Sequence, residues 1–206
     1  MIFHDVQQNT DAWQELRLGK ATTSNFTCIM ANGEKAFGEP AKRYALQLAL
    51  ERINGSKKEV TYSNEHMERG HQQEPIARML YEEETFSSVG NGGFFDCGEY
   101  GDSPDGLVDM DGVIEIKSVI DCVHYATIKR NSFDPAYRWQ LAGHLDCTGR
   151  KWVDFVSYCA EFPVGKQLYI FRVNRDDFSA ELERLASRRV EFLSLVRSIY
   201  DEIMSL

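Results

Sequence analysis

Nothing in this sequence is arranged for cross-linking or for a membrane. Its five cysteines, Cys28, Cys97, Cys122, Cys147 and Cys159, are odd in number and widely scattered. That argues against a disulfide framework and against a zinc knuckle. They are expected to be reduced, most of them packed as small hydrophobes. No apolar run approaches the roughly 18 residues of a membrane span. The N-terminal MIFHDVQQNTDAW lacks the basic-then-apolar order of a secretory signal. A cytoplasmic protein without membrane association is expected. Basic charge is also scarce, with 23 Lys and Arg against 32 Asp and Glu, a net charge of -9. Taken alone, that balance disfavours phosphate binding. It is a sum, however, to which an acidic metal-holding cluster contributes and within which a basic groove can persist. Internal repeats, low-complexity segments and clear linkers are missing too.

What is present suits one globular domain of 206 residues, long enough to bury a core. Helical signals dominate first. Thr10 opens a short helix ended at Gly19, and Thr22 to Ser24 cap a second that runs to about Met30. A third runs from Pro40 to Asn54, and a fourth, long one from Asn64 to about Glu84 contains Pro75. Strand patterns follow at 94–97, 106–109, 113–117, 152–158 and 167–173, with helical stretches at 121–130 and 135–145 between them. A long amphipathic helix from Phe178 to about Met204 closes the chain, with Leu182, Leu185, Val190, Leu193, Val196 and Ile199 on one face. The expected architecture is α/β: a mixed central sheet of about five strands flanked by helices. It divides into a helical part over about 1–85, a core over about 86–175 and a terminal helix over about 176–206.

The chemistry concentrates in GDSPDGLVDMDGVIEIKS, Gly101 to Ser118. Asp111-Gly112 is a strong hairpin signal, so the flanking strands should pair. Side chains alternate along a strand, which puts Val113, Glu115 and Lys117 on one face and Ile114 and Ile116 on the other. Pairing brings Asp105 to the same sheet edge as Glu115 and Lys117. Two carboxylates and the Ile116 carbonyl supply hard oxygen donors of the kind Mg²⁺ takes while keeping several waters. A lysine beside them can orient a water or help take its proton. The spacing by itself is common, and Lys117 pairing with Glu115 on a solvated face would account for it. Asp109 and Asp111 mimic the start of a calcium loop, but the later spacing is wrong and they read as turn residues.

Four blocks give the pattern company: Trp13 to Gly19 (WQELRLG) with Thr22 to Ser24; Arg69-Gly70 with Glu74 to Arg78; Ser103 to Gly106 with Glu115 to Lys117; and Tyr137 to Gln140 leading to Gly149-Arg150. In this order, over about residues 11–160, they resemble the phage lambda exonuclease family, also called YqaJ-type viral recombinases, on the PD-(D/E)xK nuclease core. The resemblance implies that Asp105, Glu115, Glu74 and the Ile116 carbonyl hold metal, Mg²⁺ or Mn²⁺, two ions per site. It implies that Lys117 positions the attacking water and that Gln140 lies beside the site and helps hold substrate phosphate. Arg17, Ser24 and Ser103 match a pocket for a 5′ terminal phosphate, and Met67 lies near an apolar residue that separates the terminal base pairs. A guanidinium suits the phosphate geometry, and a helix start suits its charge.

The implied activity is 5′-to-3′ digestion of one strand of linear double-stranded DNA to mononucleotides, leaving 3′ single-stranded tails for phage-type recombination. The implied partners are duplex DNA ends, a single-strand annealing protein and two further copies in a ring-shaped trimer, in a bacterial host cell with a phage or prophage gene. Lys20, Lys35, Lys42, Arg43, Lys129 and Arg130 are candidates to line the DNA channel. The alternatives are an endonuclease on the same fold and a catalytically inactive DNA-end-binding protein. The loop after Gly33 and the stretch from Cys159 to Lys166 depart from the family pattern.

Overall fold

The computed structural model describes residues 1–33, 35–57 and 65–206, with the side chains of residues 65–68 and 71 excluded. Met67, the expected strand-separating residue, thus lies outside the described residues.

Two mixed sheets organise the chain. The larger has the order β3 (Val89–Gly90), β6 (Gly106–Val108), β7 (Gly112–Ser118), β8 (Trp152–Tyr158) and β9 (Leu168–Asn174). Its neighbours are antiparallel except for β7 and β8, which run parallel in register from Gly112–Trp152 to Ser118–Tyr158. A parallel pair needs a long crossover. Here α5 (Asp121–Arg130) and α6 (Arg138–Thr148) supply it.

Alternation along β7 divides the core into two layers. Val113 joins Val153, Phe155 and Val173 in a cluster with Leu141 and Leu145 of α6, Phe26 of α2 (Phe26–Met30), Leu48 of α3 (Glu39–Asn54) and Phe192 of α7 (Ser179–Met204). Ile114 and Ile116 pack on the other side with Val156 and Tyr158, against Ala77 and Tyr81 of α4 (Glu65–Thr85). Each large buried apolar side chain contributes about 1.5–3 kcal/mol relative to exposure. The hairpin forms, but not on the Asp-Gly turn expected: Gly112 already lies in β7 opposite Val108, and residues 109–111 make the turn. Asp109 takes φ +46°, and the Trp152 ring lies so close over Gly112 that a Cβ there would stand 2.0 Å from it.

The second sheet, β1 (Ile2–His4), β4 (Phe94–Asp96), β5 (Tyr100–Asp102) and β2 (Ala21–Thr22) in that order, was not expected; the strand expected at 94–97 forms as β4 but joins this sheet, and β3 takes its place in the central one. It corrects the purely helical reading of the first 85 residues, because β1 and β2 flank α1 (Asp11–Arg17) and join strands from the core segment. The stripe on α7 is also corrected. Val190 is 63% exposed, while the neighbouring Arg188 and Arg189 are buried. Arg188 donates to the carbonyls of Ile29 and Lys35, and Arg189 pairs with Asp146. Internal acceptors thus draw two arginines into a face that the apolar pattern assigned to valine. Among the described residues, no helix is long and apolar enough to cross a membrane.

Candidate active site

A single cleft of about 480 Å³ is lined by Arg17, Ser24, Ser103, Glu74, Asp105, Glu115, Ile116, Lys117 and Gln140, among others. Every sequence-derived site residue other than Met67 therefore meets in one place. The elements explain why. Asp105 directly precedes β6, and its Oδ2 accepts the Ile116 N–H at 2.6 Å. The N–H and C=O of one strand residue point to the same edge. The Ile116 carbonyl thus faces the Asp105 side as well. Glu115 and Lys117 project from β7 towards α6. From α6, Gln140 Nε2 donates to Glu115 Oε1 at 2.6 Å, and Lys117 pairs with the same oxygen. Lys117 also lies 4.9 Å from the centre of the Tyr137 ring. Helix α4 approaches from the opposite face and brings Glu74 to the cleft. Arg69 of α4 donates to the Ser118 carbonyl at 3.4 Å.

Glu115 points inward, not to water: it is 2% exposed. Its second oxygen, Oε2, lies 2.8 Å from His144 Nε2. His144 Nδ1 lies 2.8 Å from Asp102 Oδ2, and Thr23 Oγ1 donates to Asp102 Oδ1 at 2.6 Å. His144 and Asp102 are both fully buried. Sequence reasoning missed this pair. Two signals could have found it: His144 is four residues after Gln140, hence on the same helix face, and Asp102 is three residues before Asp105.

The electrostatics follow from this packing. Burial alone would push the Glu115 carboxyl up, but the charges of Lys117 and His144 hold it down at about 2. Burial alone would lower His144, yet Asp102 and Glu115 raise it to about 10. Burial also opposes the charge on Lys117, and Glu115 and Asp105 more than offset it, so the ammonium is held above its ordinary range. Asp105 is the exception. Burial, then the charges of Glu115 and Glu74, push its carboxyl well above the usual carboxylate range.

The other end of the cleft has different chemistry. Trp13 Nε1 and Arg17 Nη1 both donate to Ser103 Oγ at 2.8 Å, and the Arg17 guanidinium lies 4.0 Å from the centre of the Trp13 ring. The exposed Ser24 hydroxyl sits 3.3 Å from Thr22 Oγ1, in a 3₁₀ turn before α2 and not at a capped helix start. Of the expected channel cations, Lys35, Lys42, Arg43, Lys129 and Arg130 are exposed. Lys20 is tied to Asp96 at 2.5 Å and is partly buried.

The donor set fits a hard divalent cation. Asp105, Glu115 and Glu74 supply carboxylates in one cleft, and Ile116 supplies a carbonyl. No group of three or more His, Cys, Asp or Glu among the described residues is gathered for a metal ion. Asp105 Oδ2 is engaged by Ile116, and Glu115 Oε1 by Gln140 and Lys117. Mg²⁺ suits such a set, because it is held through one or two carboxylates and keeps several waters.

The YqaJ-like viral recombinase domain matches residues 12–151. An alkaline exonuclease from Laribacter hongkongensis is similar in structure, with 32% identity, 95% of this chain and 99% of that chain covered, and a TM-score of 0.79. The same enzyme in complex with dAMP gives 33% identity, the same coverage and the same TM-score. A phage-related exonuclease from Haemophilus somnus 129PT shares the fold, with a TM-score of 0.65 at 14% identity over 90% of this chain and 95% of that chain. No curated protein matches in sequence. With well over half its length matched by the family and a relative of 32% identity spanning nearly all of it, this chain belongs to the YqaJ-like viral recombinase family.

Proposed function

We propose that this protein is a metal-dependent exonuclease. It digests the 5′-ended strand of linear duplex DNA to mononucleotides and leaves a 3′ single-stranded tail. The observation that carries the reading is the shared cleft, which joins a guanidinium and two serine hydroxyls to a buried carboxylate, ammonium and amide cluster. The similarity to an alkaline exonuclease supports it.

Arg17, Ser24 and Ser103 bind the terminal 5′ phosphate. The guanidinium offers a planar pair of N–H donors, and the Trp13 ring beneath it fixes its plane. The scissile phosphodiester then lies over Asp105, Glu115 and Lys117. Asp105, Glu115, Glu74 and the Ile116 carbonyl would hold Mg²⁺ or Mn²⁺. A cation held there would supply an activated water as nucleophile and a positive charge against that developing on the phosphate. Lys117, beside Glu115 at the cleft wall, orients that water and donates to the phosphate. Gln140 holds Glu115 Oε1 from the side and can turn its amide to a phosphate oxygen. The exposed cations are the sequence's means of following the duplex backbone, and assembly into a ring would collect them around one channel. A single-strand annealing protein that receives the 3′ tail is the fitting partner.

The test uses linear duplex labelled at both ends, carrying either a 5′ phosphate or a 5′ hydroxyl. The expected products are mononucleotides from the 5′-ended strand, faster from phosphorylated ends, with the 3′ strand kept. Release of oligonucleotides, or digestion from the 3′ end, would refute the reading.

A further inference from the structure

Glu115 belongs to the cleft through one oxygen and to the interior through the other. Oε1 meets Gln140 and Lys117, whereas Oε2 meets only His144 among the hydrogen bonds described. From His144 the contacts continue to Asp102 at 2.8 Å and from Asp102 to Thr23 at 2.6 Å. Thr23, Asp102, His144 and Glu115 are 3%, 0%, 0% and 2% exposed. The chain of contacts is therefore closed to bulk solvent from end to end. In such surroundings hydrogen bonds are electrostatically stronger and polarise one another.

Its placement is informative. Thr23 is covalently next to Ser24, and Asp102 is covalently next to Ser103. Two of the three residues of the proposed phosphate pocket thus each adjoin a member of the buried chain. Gly143 allows the approach: a Cβ there would stand 2.7 Å from Thr23 Cγ2 and 2.9 Å from the Phe26 ring. The absence of a side chain lets α6 press against the Thr23 turn, which sets His144 within reach of Asp102.

We infer that Thr23, Asp102 and His144 are positioning residues that couple occupancy of the Arg17–Ser24–Ser103 pocket to the orientation of Glu115. None of the three needs to touch the reacting atoms. A phosphate bound by Ser24 and Ser103 fixes the backbone at residues 23–24 and 102–103, and the relay carries that constraint to Glu115 Oε2. Displacement of a catalytic group by a fraction of an ångström to 1 Å costs rate and not only affinity. Recognition of the DNA end thereby becomes a control on turnover. The inference rests on the nuclease reading and adds to it the route by which end chemistry is sensed.

Thr23→Val keeps the shape and removes the donor to Asp102. On 5′-phosphorylated duplex its kcat is expected to fall about tenfold to a hundredfold, with KM held within about twofold. On 5′-hydroxyl duplex, where the pocket is empty, the loss in kcat should be several-fold smaller. Thr23→Ser returns the hydroxyl and should return the preference. Arg17→Ala should do the opposite, raising KM for phosphorylated ends. Equal losses on both ends, or a rise in KM at constant kcat in Thr23→Val, would overturn the inference. A second readout needs no cleavage. In EDTA, the ring ¹⁵N resonances of His144 should move when a 5′-phosphorylated duplex is added, and not with its 5′-hydroxyl counterpart or in Thr23→Val. Resonances that ignore the phosphate would refute the coupling. A wild-type enzyme that cleaves nothing while His144 still responds would instead refute the nuclease reading.

Discussion

Replacing His144 with leucine removes the ring that stands between Asp102 and Glu115, without leaving a large void. Two buried carboxylates then face an apolar side chain. Removing one partner of a buried ionic pair costs about 3–5 kcal/mol, because the charge left behind is uncompensated. For a chain of this length each kcal/mol moves Tm by about 2–4 °C, so the variant should melt about 6–20 °C lower. The pH dependence gives a sharper test. His144 is raised from 6.5 to about 10 in the folded state by Asp102 and Glu115, against the effect of burial. A group raised on folding stabilises fully below its unfolded pKa, and that stabilisation is lost as pH rises through its folded pKa. The gap between wild type and His144→Leu should therefore be widest near pH 6 and narrow as pH climbs to about 10. Scanning calorimetry in EDTA across that range measures it. A gap below about 2 °C at pH 6, or one that does not change with pH, would refute the assignment of His144 as a buried, charged bridge.

Two further outcomes follow from the same geometry. Asp105 carries a carboxyl pushed up by burial and by Glu115 and Glu74, so it keeps its proton to higher pH than an ordinary aspartate. It must lose that proton to hold a cation, so Mn²⁺ affinity should rise with pH and binding should release protons. Titration calorimetry in two buffers of different ionisation enthalpy detects the release, and pH-independent binding would contradict it. Gly143→Ala places a methyl 2.7 Å from Thr23 Cγ2. Overpacking costs about 1–3 kcal/mol and the helix regains about 1 kcal/mol. Tm should fall only slightly, while turnover on phosphorylated ends falls more; unchanged turnover would contradict the packing argument.

The site's charged centre was legible because hairpin chemistry and strand alternation are local rules. A short polar link between two strand patterns announced the hairpin, although its turn falls on 109–111 and not on Asp111-Gly112, and alternation put Glu115 and Lys117 on one face with Asp105 at its edge. The long strands β7, β8 and β9 and the crossover helices were legible for the same reason. The second sheet was not: of its strands only β4 showed in the sequence, as the strand at 94–97, while β1, β2 and β5 are two or three residues long and too short to show a period. His144 and Asp102 escaped because a buried histidine between two carboxylates is defined by contacts 29 and 42 residues apart in the chain. The same holds for Arg188 and Arg189, whose acceptors on Ile29, Lys35 and Asp146 lie far away in sequence.

The most direct measurement places wild type and Lys117→Ala with 5′-phosphorylated linear duplex and a covalently closed circle, in Mg²⁺ or EDTA. Wild type should degrade the 5′-ended strand of the linear DNA in Mg²⁺ and stop in EDTA. The circle should stay intact, and Lys117→Ala should lose at least about a hundredfold in rate. Cutting of the circle, cleavage that persists in EDTA, or a fully active Lys117→Ala would contradict an end-dependent exonuclease centred on Asp105, Glu115 and Lys117.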